Sequence, residues 1–170
     1  VAKPAGLNIT IKEDKSELSL LFMGDLCPLG KVEESCRRGE QDGVVQSFKP
    51  VLKDKDLSVA NLECPLTTSE TRIDKEGPNI KADPVAVKAV EACGLDIVSL
   101  GNNHIMDFSE AGLQETVSVL EDNGILHLGA GPNVEAAKKP LILEKKGVRL
   151  AFLSFCETEF NIGSGTEAGC

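Results

Sequence analysis

Three short apolar runs, each closed by a cluster of polar side chains, constrain this chain more than any other feature. Leu18-Ser19-Leu20-Leu21-Phe22-Met23 ends at Gly24-Asp25, and Leu57-Ser58-Val59-Ala60-Asn61-Leu62 ends at Glu63. Asp96-Ile97-Val98-Ser99-Leu100 ends at Gly101-Asn102-Asn103-His104. Runs of this length, bounded by glycine and polar residues, predict buried strands. Helical patterns separate them: short charged helices near 32–38 and 44–52, then a helix opened by Asp83 as cap with Pro84 at its first position and closed by Gly94. Ser109 is expected to cap a further helix in which Leu113, Val117 and Leu120 recur at helical spacing before Gly124. Residues 125–128 predict a fourth strand, and 140–144 with 148–155 a hairpin around Lys145-Lys146-Gly147. The polar stretch 65–82 reads as a long loop, a length that in compact domains is usually functional or mobile.

Strands alternating with helices give α/β architecture, with right-handed crossovers placing helices on the sheet faces. A chain of 170 residues suits one such domain, preceded by a polar lead-in over residues 1–17 that Pro4 and Gly6 interrupt. A net charge of −9 opposes binding to nucleic acid or to an anionic membrane, both of which need many Lys and Arg against phosphates. No apolar run is long enough to span a bilayer. The missing initiator Met is expected of a processed or cut chain. The six cysteines contain no Cys-x-x-Cys pair and predict reduced, largely buried thiols, a usage that suits a cytoplasmic or other reducing setting. Cys27 and Cys64, both just past strand ends, are the pair to test for a disulfide.

Neighbouring parallel strands bring the residues at their carboxyl ends together, and ligands bind there in open α/β sheets. Taken singly the three clusters say little: Gly-Asp after a strand makes a turn or a cap, and Asn-Leu-Glu can be one satisfied Asn and one solvated Glu. Asn102-Asn103-His104 is sharper, because these side chains are costly to bury without partners. Together, two carboxylates, an amide oxygen and an imidazole suit a divalent ion such as Zn, Mn or Fe. A dication would also let both carboxylates stay ionised at close range, and would reverse the local field for an anionic substrate. His127, in Ile125-Leu126-His127-Leu128, reads as a strand residue facing solvent or a satisfied neighbour. The Gly129-Ala130-Gly131 turn is a weak anion-cradle signal that a tight strand-to-helix connection also explains.

Phe22-Met23-Gly24-Asp25, Ala60-Asn61-Leu62-Glu63-Cys64-Pro65-Leu66-Thr67 and Gly94 to Asp107 with its Gly-Asn-Asn-His core resemble, in order, the signature blocks of CapA-type capsule or poly-γ-glutamate synthesis proteins. Gly129-Ala130-Gly131-Pro132-Asn133 continues the series. The resemblance covers nearly all of residues 18–160 and makes 18–170 the N-terminal portion of a CapA-like α/β domain, truncated at its C-terminus. It implies a sheet similar to that of calcineurin-like metallophosphoesterases. By motif it implies Asp25 and Glu63 as metal ligands, and Asn103 as a ligand or phosphate-orienting amide, with Asn102 able to exchange roles with it. His104 would be general acid as well as a residue of the metal site, with Asp107 orienting its imidazole for catalysis. An anionic polymer or phosphoester substrate, partner subunits of a capsule synthesis complex and a place at the cell envelope follow from the same resemblance.

Two departures stand out. Asp25-Leu26-Cys27 replaces the Asp-x-His of many metallophosphoesterases, removing one ligand unless Cys27 serves as thiolate, and His104 and His127 are the chain's two histidines. A metal site in this chain alone is therefore expected to be incomplete, and a non-catalytic subunit of an envelope polymer synthesis or export complex is the alternative to a metal-dependent hydrolase. A truncated domain would also expose sheet edge and apolar surface and self-associate.

Overall fold

The computed structural model describes residues 17–157, 163 and 165–170. The polar lead-in, apart from Glu17, and part of the Gly-rich last stretch lie outside the described residues. Four strands, β1 (Leu20–Leu26), β2 (Leu57–Leu62), β3 (Ile97–Ser99) and β4 (Leu126–Leu128), form one parallel sheet in the order β1-β2-β3-β4. Helices α1 (Lys31–Arg38), α2 (Gln41–Val45), α3 (Lys49–Leu52), α4 (Val87–Ala92), α5 (Ser109–Asp122) and α6 (Val134–Ala137) fill the connections. Because every step across the sheet runs in the same direction, right-handed crossovers bring the helices to the same face. Accordingly α1, α2 and α4 pack on one another.

Between that helical layer and the sheet lies the core, where Leu62, Val98, Leu100, Leu113 and Leu120 are fully or almost fully buried. Each such side chain contributes roughly 1.5–3 kcal/mol by leaving water. Hairpin strands β5 (Leu141–Lys145) and β6 (Val148–Phe152) pair antiparallel through Lys146-Gly147, both at positive φ as a two-residue hairpin turn requires. The hairpin lies against the other side of the sheet: Phe152 meets Phe22, and Ser154 just beyond β6 bonds Ser99 at 2.8 Å.

Several local readings need correction. β1 does not stop at Gly24 but runs to Leu26, so Asp25 is a strand residue. The helix expected over 44–52 is split into α2 and α3, because Pro50, which lacks an N–H, stands in the first turn of the second piece. Ser109 does not cap α5; it sits at φ 59° with its hydroxyl donating to the Phe108 carbonyl, while buried Phe108 takes the capping position. Asp83 does cap as expected, accepting from Val85 N at 2.8 Å, though the first turn, Pro84–Ala86, is a 3-10 turn. The six cysteines stand as thiols, as expected of a set without a Cys-x-x-Cys pair, and no disulfide joins Cys27 to Cys64.

At the amino-terminal edge of the sheet, Asp96 accepts from Ser58 N and Ser58 Oγ, both at 2.8 Å, and from Lys55 Nζ at 2.9 Å. Burial works to raise its carboxyl, and the Lys55 and Ser58 bonds outweigh it, leaving Asp96 below the ordinary aspartate range. A depressed folded value adds stability in full above the unfolded value of about 3.9, and that stability is lost as pH falls through the folded value. Urea unfolding followed from about pH 6 to about pH 3 should therefore show an acid loss that Asp96→Asn flattens. An equal acid slope in the variant would show that Asp96 does not contribute to it.

Candidate functional site

The carboxyl ends of β1, β2 and β3 are adjacent, and a β-bulge decides which residues meet there. Phe22 pairs with Val59 but Asp25 pairs with Asn61, so β1 carries one extra residue around Met23-Gly24. Bulges of this kind re-aim a side chain. Without it Asp25 would stand opposite Leu62; with it the carboxylate accepts from Asn61 Nδ2 at 2.8 Å.

From Asn61 the contacts continue inward. Asn102 Nδ2 donates to Asn61 Oδ1 at 3.0 Å and to the Leu62 carbonyl at 2.9 Å, and Asn102 Oδ1 accepts from His104 N at 3.0 Å. Asn102 is buried and Asn103 exposed, so Asn102 is the amide built into this rim. Glu63 follows Asn61 by two residues on the extended chain, its backbone N–H held by the Leu26 carbonyl at 3.0 Å.

His104 lies in the turn between β3 and α5, and its Nδ1 is 2.7 Å from Asp107 Oδ2. A nitrogen that close to a carboxylate carries the proton, which leaves Nε2 as the nitrogen able to exchange one. Asp107 is fully buried, at 0% side-chain exposure, and Lys75, at 2%, forms an ion pair with its other oxygen. Lys75 Nζ also stands 3.3 Å from His104 Nδ1 and 3.3 Å from the Asn103 carbonyl.

The 65–82 loop is organised around the same carboxylate. Ile80 N donates to Asp107 Oδ2 at 2.8 Å, and Asn79 Nδ2 and Ile73 N donate to the Asp107 carbonyl. Its ends are tied by the Leu66–Ala82 bridge and held on α5, where Glu115 accepts from Thr67 and Thr68 and Thr116 Oγ1 accepts from Leu66 N. A long polar loop is therefore ordered on one residue: the Asp107 carboxylate takes Ile80 N and the Lys75 ammonium, and the Asp107 backbone carbonyl takes Asn79 and Ile73.

Asp25, Asn102 and His104 are thus linked through Asn61, and Asp107 and Lys75 extend the chain on the far side of the imidazole. The fit to a metal is a separate matter. Among the described residues no group of three or more His, Cys, Asp or Glu stands close enough to hold an ion. Burial pushes the Cys27 thiol up, the Cys64 bond opposes this, and the Glu63 and Asp25 carboxylates add to the rise. Burial and the two carboxylates thus work against a Cys27 thiolate. These residues do not by themselves fit a resident metal. His127 is on β4, half-buried, with Nε2 3.5 Å from Glu121 Oε1, away from this rim.

Asn61 and Lys75 were not singled out by sequence reasoning as site residues. Asn61 had a usable signal, since strand alternation puts it on the same side as Glu63. Lys75 had none, because an aperiodic loop does not show which of its cations turns inward.

The comparisons with known proteins agree with the order of the motifs. The family described as bacterial capsule synthesis protein PGA_cap matches residues 19–169. The capsule biosynthesis protein CapA of Bacillus anthracis is 29% identical over 147 residues, 85% of this chain and 36% of its own length. The PGA biosynthesis protein CapA of Bacillus subtilis is 27% identical over 143 residues, 82% of this chain and 37% of its own. A probable polyglutamine synthesis accessory protein of Mycobacterium tuberculosis is 33% identical over 88 residues, 52% of this chain and 23% of its own. The chain thus spans little more than a third of the length of the curated relatives it matches. With matched blocks running from β1 to the C-terminal segment, the chain belongs to the bacterial capsule synthesis protein family PGA_cap.

Proposed function

We propose that the chain is the N-terminal part of a protein of capsule or poly-γ-glutamate synthesis and supplies one side of a hydrolytic site of the calcineurin-like metallophosphoesterase kind. The observation that carries this reading is the continuous chain of contacts from Asp25 through Asn61 and Asn102 to His104, Asp107 and Lys75. His104 Nε2 gives or takes the proton at a phosphoryl or amide-type oxygen, because Nδ1 is engaged by Asp107. Lys75 balances the buried Asp107 charge, so the carboxylate can hold the imidazole without standing alone in the interior. Asn102 holds the His104 backbone against β2, fixing the imidazole's distance from Asp25.

Asp25 and Glu63 would serve a divalent ion, Zn, Mn or Fe, only together with ligands from outside the described residues. Such an ion would supply charge to stabilise the developing oxyanion. The substrate is then an anionic polymer or a phosphoester, and the partners are other subunits of the polymer synthesis machinery; two relatives are named for capsule or PGA biosynthesis and one as a synthesis accessory protein.

Metal analysis of the full-length protein tests this reading. A stoichiometric transition metal, lost in Asp25→Ala and in Glu63→Ala, is the expected result. The second reading, a non-catalytic subunit of an envelope polymer complex, is favoured by the absence of a three-ligand cluster among the described residues. A correctly folded full-length protein without metal would support it and overturn the first.

A further inference from the structure

Beyond the proposed hydrolytic rim, the C-terminal segment brings a second pair of reactive groups against Asn102. Cys156, just past β6, has its Sγ 2.9 Å from the Sγ of Cys170. That is within about 1 Å of a ~2.05 Å S–S bond, so covalent closure needs little movement of either sulfur. Cys170 is held in place by its neighbours: Gly131 and Gly169 exchange two backbone bonds of 2.9 Å, and Gly163 N donates to the Cys170 carbonyl at 3.2 Å. Its thiol in turn donates to the Asn102 carbonyl at 3.6 Å.

Access separates this pair from the other. Cys27 and Cys64 are also hydrogen-bonded to each other, but Cys64 is fully buried, as is Cys36, and Cys93 is nearly so. Cys156 and Cys170 instead line a cavity of about 550 Å3 that Gly129, Val134 and Phe155 also line, with Lys138 and Glu157 supplying one charge of each sign. A small thiol adduct on either sulfur has room there, and Lys138 offers a cation for its carboxylate.

We propose that Cys156 and Cys170 are a reversible oxidation site, closed to a disulfide by a small carboxylate-bearing peptide disulfide of the glutathione type. Cys156 Sγ, as thiolate, attacks the small disulfide, whose S–S bond breaks as one small thiol departs; burial pushes the Cys170 thiol up to about 12, so it follows second. The second sulfur then loses its proton, attacks the mixed disulfide and expels the other small thiol. The protein gives up two electrons and two protons, and the small disulfide is reduced to two thiols. Closure removes the S–H that now bonds the Asn102 carbonyl, so the change is transmitted to the backbone preceding His104.

No Lys or Arg lies between Cys156 and Cys170, so trypsin leaves both in one peptide. The reduced protein is incubated with oxidised glutathione, remaining thiols are alkylated, and the digest is weighed. The expected peptide is lighter by two hydrogens than its reduced form and carries no alkyl group, returns to the dithiol with dithiothreitol, and appears before any loss of the Cys27 or Cys64 thiol. In parallel, the amide resonances of Asn102 and Asn103 move on oxidation of the wild type and stay in place in Cys156→Ser given the same treatment. Alkylation of both sulfurs after oxidant, a lasting glutathione adduct beside an intact second thiol, or prior oxidation of Cys27 with Cys64 would each overturn the assignment. Closure with unmoved Asn102 and Asn103 amides would overturn its connection to the rim.

Discussion

On the proposed hydrolytic reading, replacing His104 with Ala should lower turnover by roughly 10²–10⁴-fold, the range for removing a positioned proton-transfer group. Any divalent metal that the full-length protein holds on that reading should change far less, because the carboxylates of Asp25 and Glu63 are untouched. Steady-state hydrolysis of phosphoester and poly-γ-glutamate substrates reads the first quantity, and elemental analysis the second. His104 Nε2 is the group whose loss matters, since Nδ1 is already occupied by Asp107 at 2.7 Å. Unchanged turnover would remove His104 from the chemistry. So would full restoration of polymer by His104→Ala in a strain lacking the gene, which would favour the subunit reading instead.

The second large effect is on stability and concerns Lys75 and Asp107, whose side chains are 2% and 0% exposed. Asp107→Leu should cost about 3–5 kcal/mol, the range for leaving one partner of a buried ion pair uncompensated. Adding Lys75→Met to it should recover part of that loss, because an apolar pair of similar volume replaces both charges. A remainder of about 1–3 kcal/mol should persist, since Ile80 N and His104 Nδ1 keep their need for an acceptor. Denaturant unfolding of the two single variants and the double variant measures the cycle. A double variant no more stable than Asp107→Leu would show that the two charges do not depend on one another. Turnover separates the two roles of Asp107: stability recovers in the double variant while activity stays low, because nothing then orients the imidazole.

The strands β2 and β3 were legible in the sequence because polar closures interrupt short apolar runs, whereas β1 ran two residues past its expected end at Gly24. The hairpin at Lys146-Gly147 and the cap at Asp83 were legible for a similar reason, each resting on residues with a strong local preference. Ser109 shows where local preference fails: burial of Phe108, a tertiary matter, moved the start of α5 and turned the serine hydroxyl onto a carbonyl. Cys27 and Cys64, the pair to test for a disulfide in a set expected to be reduced, do meet as thiols, but proximity at strand ends does not make them accessible to an oxidant.

By itself the sequence determined the α/β alternation and the family, because these depend on residue type and on spacing along one chain. Only the tertiary structure decided that a bulge at Met23-Gly24 sets Asp25 opposite Asn61, that Asn102 rather than Asn103 is built in, and that Lys75 crosses from a loop to pair with Asp107. The physical reason is common to all three. Register, burial and the pairing of interior charges are settled between segments distant in sequence, where each polar group must find whichever partner the packing leaves it.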